Sequence, residues 1–167
     1  WGMQKTMYEG QLRVVNDHPY MSKWWQWPLL LRPIWYAFDK EGAKGEWVRG
    51  VILLGNPWVM WTGLVALLAA AWGWLYGRRQ DAFWVTVWFA CLYLGWIVIP
   101  RKVAFYYYYY PAGMVLTLAL AYVFVRVEEV SKTWGQRLLW TYAGITWAFF
   151  AWFYPVLSGI RIPTSAF

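Results

Sequence analysis

Charged side chains are scarce in this sequence. Lys, Arg, Asp and Glu make up 14% of its 167 residues, whereas ordinary soluble domains contain about 25%. The net charge is +7, but the basic residues are spread between apolar runs, as they are beside membrane-spanning segments, and do not form the patch that suits nucleic acid. The composition therefore favours an integral membrane protein and argues against a nucleic-acid-binding one.

Cysteine and histidine occur once each, as Cys91 and His18. A single cysteine cannot form an internal disulfide, and two such residues cannot supply the ligand cluster of a zinc site. The sequence also lacks a nucleophile motif and a glycine-rich phosphate loop. We therefore predict no metal site, no cofactor belonging to the chain and no catalytic residue within it.

Long hydrophobic runs, in contrast, fill the second part of the sequence. Four runs have about the 17 to 25 residues that a spanning helix needs: 57–76, 83–99, 105–125 and 138–157. None contains Asp, Glu, Lys, Arg or His, which argues against a pump or an ion-coupled transporter. Because the connections are short, the predicted fold class is an all-α integral membrane protein with four antiparallel transmembrane helices.

The chain divides into two predicted regions. Residues 56–167 form the four-helix transmembrane region, and residues 1–55 form an outer interfacial loop region, rich in aromatics, whose apolar runs are too short to span. Asn56 suits the N-cap and Pro57 the first residue of the first spanning helix. Residues 133–136 resemble a capping box before the fourth. The abrupt ends of the sequence suggest the C-terminal part of a longer protein.

The distribution of basic residues in the connections predicts the orientation. The first and third connections contain five: Arg78, Arg79, Arg126, Lys132 and Arg137. The second connection and the C-terminal tail contain three: Arg101, Lys102 and Arg161. Since short cytoplasmic loops carry the excess of Lys and Arg, we expect the first and third connections inside. Residues 1–55, the second connection and the C-terminus then face outward.

Two segments of this outer face are candidates for function. Residues 18–33 combine many aromatics with three prolines and suit the membrane interface, where the simplest role is an anchoring loop. Residues 100–111 place Arg101 and Lys102 before five consecutive tyrosines. The forked donors of Arg match phosphate oxygens, so this segment could hold a lipid phosphate. An ordinary snorkelling pair beside an aromatic belt explains the same residues equally well.

Several motifs, taken in order, resemble one family. They are His18-Pro19-Tyr20 with Ser22, the run from Trp27-Pro28 to Tyr36, Gly55-Asn56-Pro57, Pro100-Arg101 with the tyrosine run, and residues 155–159. Together they resemble the C-terminal region of protein O-mannosyltransferases, and the bacterial branch most. The family pattern has a histidine before the first of these motifs, where residues 7–12 here have none.

The resemblance implies part of a larger GT-C type glycosyltransferase in the plasma membrane of a prokaryote. Such an enzyme moves mannose from a polyprenyl-phosphate carrier to Ser or Thr of a polypeptide, during translocation, at the outer face. Its catalytic carboxylates lie in an upstream loop, so the chain alone is predicted to be inactive. The predicted carrier-binding residues are Arg101, Lys102, Arg32, Tyr106, Tyr107 and Tyr108. The predicted structural motif residues are His18, Pro19, Tyr20, Ser22, Trp27, Pro28, Asn56 and Pro57.

Two alternatives stay open from the sequence. A transferase using the same type of carrier could move another sugar or use a lipid acceptor, since nothing in the chain reads the sugar. The chain could also be a non-catalytic membrane scaffold, which uncharged spans permit. An acidic pair in an upstream outer loop would favour the enzyme.

Overall fold

The computed structural model describes residues 1–13, 18–42, 45–99 and 101–166, which are mostly helical. The helices in this part of the chain are α1 (Gly2–Arg13), α2 (Pro57–Leu75), α3 (Gln80–Val98), α4 (Tyr110–Val130) and α5 (Lys132–Ser158). The strands are β1 (Ile34–Glu41), β2 (Trp47–Leu53) and β3 (Ile162–Pro163). Short 3-10 helices cover Trp24–Gln26, Tyr106–Tyr109 and Thr164–Ala166. The prediction of a mainly helical fold is confirmed.

Three described segments are long and apolar enough to cross a membrane: Pro57–Leu75, Gln80–Val98 and Tyr106–Val130. They contain the first two predicted spans almost entirely and most of the third. The fourth predicted span lies within α5, which has 27 residues and is about 40 Å long at 1.5 Å per residue. Helix α5 falls short of the other three in apolarity, because it is rich in Trp and Tyr, which have polar tips.

The start of α5 differs from the prediction. The helix begins at Lys132, directly after the N-cap Ser131, which makes no side-chain capping bond, so residues 133–136 lie inside the helix and do not cap it. Ser131 alone joins α4 to α5. This tight junction requires Gly135, since a Cβ there would lie 2.6 Å from Cα of Glu128.

A small β-sheet corrects the all-α prediction. Strands β1 and β2 pair antiparallel, from Ile34 opposite Leu53 to Glu41 opposite Trp47, and β3 adds to the other edge of β2. Both long strands are rich in β-branched and aromatic residues, which suit a pleated, half-buried surface. Gly42 and Gly45, both at positive φ, lie in the segment that joins them. Residues 1–55 therefore contain paired strands and are not only a loop.

Four contacts bring distant segments together at one end of the helices, which we call the sheet end. Ser22 N donates to Ala104 O at 2.7 Å, and Gly55 N donates to the Tyr106 hydroxyl at 3.3 Å. Arg49 Nε donates to Gly159 O at 3.0 Å, and β3 pairs with β2. The segment before β1, the connection after α3 and the residues after α5 thus meet beside the sheet.

The buried core lies mainly between α2, α3 and α4. Its most completely buried large side chains are Trp27, Tyr106, Tyr109 and Leu116. Helices α2 and α4 touch closely at Gly63, where a Cβ would lie 2.6 Å from Cβ of Leu116. The core extends to the sheet end through Trp27 and Tyr106 and so supports the surface where the candidate site lies.

Candidate functional site

A groove of about 490 Å³ lies where the segment before β1 meets the connection after α3. This volume is within the range of small-molecule sites, about 300–1,000 Å³. One wall consists of residues 22–25 and 27, and the other of residues 96, 97, 99, 101, 102 and 104, with Leu12 of α1 at the edge. The two segments singled out from the sequence thus form opposite walls of a single groove.

The first wall is shaped by a turn and a buried hydrogen bond. Met21 N donates to His18 O at 2.9 Å, with Pro19 at the second position of the turn, where its fixed φ is favourable. Ser22 is buried, and its Oγ accepts a 2.9 Å hydrogen bond from Nε1 of the buried Trp27. Ser22 and Trp27 therefore hold this wall in place, which is the structural role predicted for them.

The floor of the groove is aromatic. The rings of Trp27 and Trp96 meet edge to face with centroids 5.5 Å apart, and Trp96 lies 4.6 Å from Tyr108 in a tilted arrangement. Trp24 packs on Tyr93 of α3, whose hydroxyl donates to Trp24 O at 3.2 Å. Rigid rings of this kind offer a large apolar surface, which suits the hydrocarbon part of an amphipathic ligand.

Arg101 is half-buried at one end of this floor. Its guanidinium lies 4.8 Å from the centre of the Tyr108 ring, and its Nε donates to Val103 O at 2.8 Å. These contacts orient the side chain and leave its two Nη groups without a hydrogen-bond partner among the described residues. A planar fork held in this way is ready to accept a phosphate.

Two lysines accompany Arg101 in the groove. Lys102 lines the same wall, as predicted from the sequence, and Lys23 lines the opposite wall. Lys23 was missed because nothing in the sequence shows that residues 22–27 face residue 101. Among the described residues, the charged side chains in the lining of the groove are Arg101, Lys102 and Lys23.

Arg32 lies outside the groove. Its side chain is exposed, and Nη1 makes a long hydrogen bond of 3.4 Å with Met21 O. The phosphate-binding role predicted for Arg32 therefore has no geometric support, because the side chain contacts the outer side of the turn at 18–21 and not the groove.

The tyrosines predicted to hold the carrier separate into two groups. Tyr106 is fully buried, and its hydroxyl accepts from Gly55 N, so its side chain belongs to the core. Tyr107 is exposed and donates to the Tyr108 hydroxyl at 3.2 Å. Tyr108 alone contacts both Arg101 and the aromatic floor. Five tyrosines in a row cannot share one face, because the 3-10 helix Tyr106–Tyr109 and the start of α4 turn each side chain to a new direction.

The remaining motif residues have local structural contacts. His18 Nδ1 accepts from Tyr20 N at 3.2 Å, and the His18 ring lies against Phe105. Pro28 lies in the turn after Trp27. Asn56 caps α2, since its Oδ1 accepts from Trp58 N at 3.1 Å and from Val59 N, and Pro57 is the first helical residue. The predicted cap is confirmed. Pro100 lies outside the described residues.

The arrangement suits the binding of an amphipathic anion. Three cations stand beside an aromatic floor at the end of apolar helices. General base catalysis needs a group such as a carboxylate within reach of the reacting proton. Glu41 of β1 is paired with Arg161 at 2.7 Å and is not among the described residues that line the groove.

These features define a class: a helical membrane protein with a basic, aromatic groove at one end of its helices. The family described as the C-terminal four TMM region of protein-O-mannosyltransferase matches residues 1–167, and the chain belongs to this family. The resemblance seen in the sequence motifs is confirmed.

The chain is similar to polyprenol-phosphate-mannose–protein mannosyltransferases of three bacteria. The Mycobacterium tuberculosis protein is 31% identical over 157 residues, covering 88% of this chain and 30% of the relative. The Mycolicibacterium smegmatis protein is 32% identical, with the same coverage. The Corynebacterium glutamicum protein is 28% identical, covering 89% of this chain and 30% of the relative. The chain therefore spans about 30% of the length of these relatives.

A solved structure has the same fold. It is the Saccharomyces cerevisiae protein O-mannosyltransferase Pmt1-Pmt2 complex bound to the sugar donor, with a TM-score of 0.72 over 94% of this chain and 23% of that chain. The sequence identity is 23%, so this likeness bears on the architecture alone.

Proposed function

We propose that the chain is the carrier-binding C-terminal part of a membrane glycosyltransferase that moves mannose from a polyprenyl phosphate to Ser or Thr of proteins. The observation that carries the proposal is the groove in which Arg101, Lys102 and Lys23 surround one end of an aromatic floor. A polyprenyl-phosphate sugar has this same division into an anionic head and a hydrocarbon chain. The names of the bacterial relatives agree with such a donor.

In the proposed reaction the groove acts on the leaving group. The bond between the mannose anomeric carbon and the phosphate oxygen breaks, and a bond to the acceptor hydroxyl oxygen forms. The acceptor proton passes to a carboxylate base, which must belong to the rest of the protein. Arg101, Lys102 and Lys23 stabilise the negative charge that grows on the phosphate, the kind of electrostatic stabilisation that is largest in a water-poor site.

The cations have separate tasks in this scheme. Arg101 is fixed by Val103 and Tyr108 and makes the directional contact, whereas the two lysines are exposed and add charge. Trp24, Trp25 and Trp96, which line the groove, hold the first isoprene units. Tyr106 and Arg32 are no longer part of the proposed site, and Tyr107 contributes only through its bond to Tyr108.

The proposed topology has four antiparallel spans, with α5 as the fourth, in the plasma membrane of a prokaryote. The sheet end then faces outward, as the basic residues of the connections favour. The acceptor is a polypeptide that reaches the outer face during translocation. The two regions, 1–55 and 56–167, work as one unit because their segments share the groove and the sheet.

Photocrosslinking tests the proposal directly. The full-length protein is incubated with a mannosyl polyprenyl phosphate carrying a photoreactive group on the first isoprene unit, and the labelled peptides are mapped. We expect labels at residues 22–27 and 96–108, reduced by unlabelled donor. Labels elsewhere, or failure of the full-length protein to transfer mannose to a Ser/Thr peptide, would contradict the proposed site or reaction respectively.

A further inference from the structure

A second groove lies far from the first, between the C-terminal halves of α2 and α4. Its volume is about 450 Å³, again in the range of ligand sites. Its lining is mostly apolar and includes Trp72, Gly73, Tyr122, Val123, Arg126 and Val127. The proposed transferase reaction makes no use of this groove.

Gly73 and two aromatic residues form the walls. A Cβ on residue 73 would collide with the Tyr122 hydroxyl, so glycine is what lets Tyr122 lie against α2. Trp72 is 65% exposed, and its ring lies 4.1 Å from that of Tyr76. Exposed Trp and Tyr near helix ends are typical of the level of lipid headgroups.

Among the described residues that line this groove, Arg126 is the charged one. Its guanidinium lies 5.8 Å from the centre of the Tyr122 ring, and Nη2 pairs with Glu129. Its Nε is buried and has no hydrogen-bond partner in the described part of the chain. A buried donor without a partner costs free energy, which an anionic ligand reaching the guanidinium would recover.

The surrounding charge is also mainly positive. The connections at this end carry five cations, Arg78, Arg79, Arg126, Lys132 and Arg137, and three carboxylates, Asp81, Glu128 and Glu129. Arg79 is engaged with Asp81 at 3.2 Å, and Arg137 lies over the Trp134 ring. An anion approaching this end is therefore attracted, and the apolar groove beside Arg126 receives a hydrocarbon chain.

We propose that this groove binds an anionic phospholipid of the membrane leaflet opposite the sheet end. The lipid phosphate contacts the Arg126 guanidinium, and one acyl chain lies between α2 and α4 along Val123, Val127 and Gly73. An apolar groove with a cation at one end matches the division of a phospholipid into an acyl chain and an anionic headgroup.

Native mass spectrometry of the full-length protein tests this inference. The protein is titrated with phosphatidylglycerol and with phosphatidylcholine of the same acyl chains. Four variants are compared: Arg126→Ala, Ala69→Trp, Glu129→Gln and Arg137→Ala. Ala69 lines the groove, so tryptophan there fills it without changing the charge. Arg137 provides a matched cation at the same end that is not part of the lining. Thermal unfolding in detergent checks that each variant is folded.

The variants are expected to change lipid binding in opposite directions. Phosphatidylglycerol binds more tightly than phosphatidylcholine, and Arg126→Ala weakens its binding by about tenfold or more, as for a lost charge-assisted hydrogen bond. Ala69→Trp weakens it as well, Glu129→Gln tightens it by freeing the guanidinium, and Arg137→Ala leaves it unchanged.

Three results would overturn the inference. Equal binding of the two lipids, equal effects of Arg126→Ala and Arg137→Ala, or displacement of the lipid by millimolar glycerol phosphate would each exclude a lipid site at Arg126. If Arg126→Ala does not fold, the other two variants test the inference. Weaker binding in Ala69→Trp together with tighter binding in Glu129→Gln supports it, and any other result contradicts it. Lipid binding is measured without mannosyl transfer, so the outcome is independent of the proposed reaction.

Discussion

Arg101 shows how single residues acquire a role through their neighbours. The sequence places it beside Lys102, where snorkelling and phosphate binding are equally good explanations. In the structure, Val103 O and the Tyr108 ring hold its guanidinium over an aromatic floor, with Lys23 across the groove. A side chain that only snorkels needs no such orientation, and this geometry therefore favours the phosphate.

Substituting Arg101 in the full-length protein should impair mannosyl transfer. Losing one charge-assisted hydrogen bond costs about 1.5 to 3 kcal/mol, or roughly 10- to 150-fold in kcat/KM for the lipid-linked donor. Arg101→Lys should also be impaired, since an ammonium does not reproduce the planar fork. If the contact strengthens as the phosphate leaves, kcat should fall and KM should rise.

Steady-state kinetics with varied donor checks this, after each variant is shown to insert and fold. Lys40→Ala, an exposed residue on β1, is the control and should behave as wild type. Wild-type kcat/KM in folded Arg101→Ala would show that Arg101 is only an interfacial cation.

Asn56 links a helix cap to a contact between helices. Its Oδ1 caps α2, and its Nδ2 donates to Thr146 O of α5 at 3.0 Å. Asn56→Ala should destabilise the full-length protein by about 1 kcal/mol for the cap, within a range of about 0.5 to 2, plus the lost bond to α5. Asn56→Asp keeps the cap acceptor and loses only the donor, so its loss should be smaller. Thermal unfolding in detergent measures the stability of both variants. Equal losses of stability for Asn56→Ala and Asn56→Asp would show that the cap makes no contribution.

At the scale of elements, the residues after α5 tie the sheet to the helices. Helix α5 ends at Gly159 in the left-handed conformation, with φ 70°, and Arg49 on β2 donates to its carbonyl. Strand β3 then pairs with β2, and Thr164 N donates to Glu46 O at 2.8 Å. The path of the chain from the end of α5 to the sheet is therefore set mainly by the left-handed conformation of Gly159 and by backbone hydrogen bonds.

This arrangement predicts a contrast between two neighbouring substitutions. Gly159→Ala should destabilise the protein by about 1 kcal/mol, because the left-handed region disfavours a Cβ, which here would lie 3.2 Å from Cγ2 of Val51. Arg161→Ala should cost less, since exposed ion pairs are worth about 0 to 1 kcal/mol. Thermal unfolding of the full-length variants compares them, and a larger loss for Arg161→Ala would contradict this view of the C-terminal connection.

At the scale of the whole molecule, the groove and the sheet are predicted to share the outer face. In a background with Cys91 replaced by Ser, cysteines at Lys40 and Ser158 should react with an impermeant thiol reagent added outside cells. A cysteine at Gln80, at the start of α3, should react only after permeabilisation. Labelling at position 80 alone would show that the orientation is the reverse of the predicted one. Equal labelling at all three positions would contradict the four-span topology.

Mannosyl transfer is predicted to require the full-length protein. In the proposed reaction, the base is supplied by the rest of the protein, and the groove supplies cations and aromatic rings. The 167-residue chain by itself should show no transfer above a mock preparation, whereas the full-length protein should be active. Turnover by the isolated chain would mean that a carboxylate of the outer region serves as the base.

Much of the architecture could be predicted from the sequence because it depends on local chemistry. A run of uncharged residues long enough to span has few alternatives to a helix in lipid, and Asn56-Pro57 begins α2 through contacts within its own first turn. The strands were missed because their alternation is blurred by aromatics on both faces, and β3, which pairs with β2, lies more than 100 residues away in sequence.

The site was predicted only in part for the same reason. Residue type made Arg101 the predicted phosphate ligand, and the order of motifs identified the family. Three features depend on how residues 18–33 fold against the connection after α3. Lys23 and Arg101 line the same groove, Tyr106 is buried while Tyr108 packs on Arg101 and Trp96, and Arg32 is not in the lining. Sequence by itself determined the helices and the chemical character of their ends, since these follow from local composition. Only the tertiary structure decided which cations share one groove, because that requires contacts between segments about 80 residues apart.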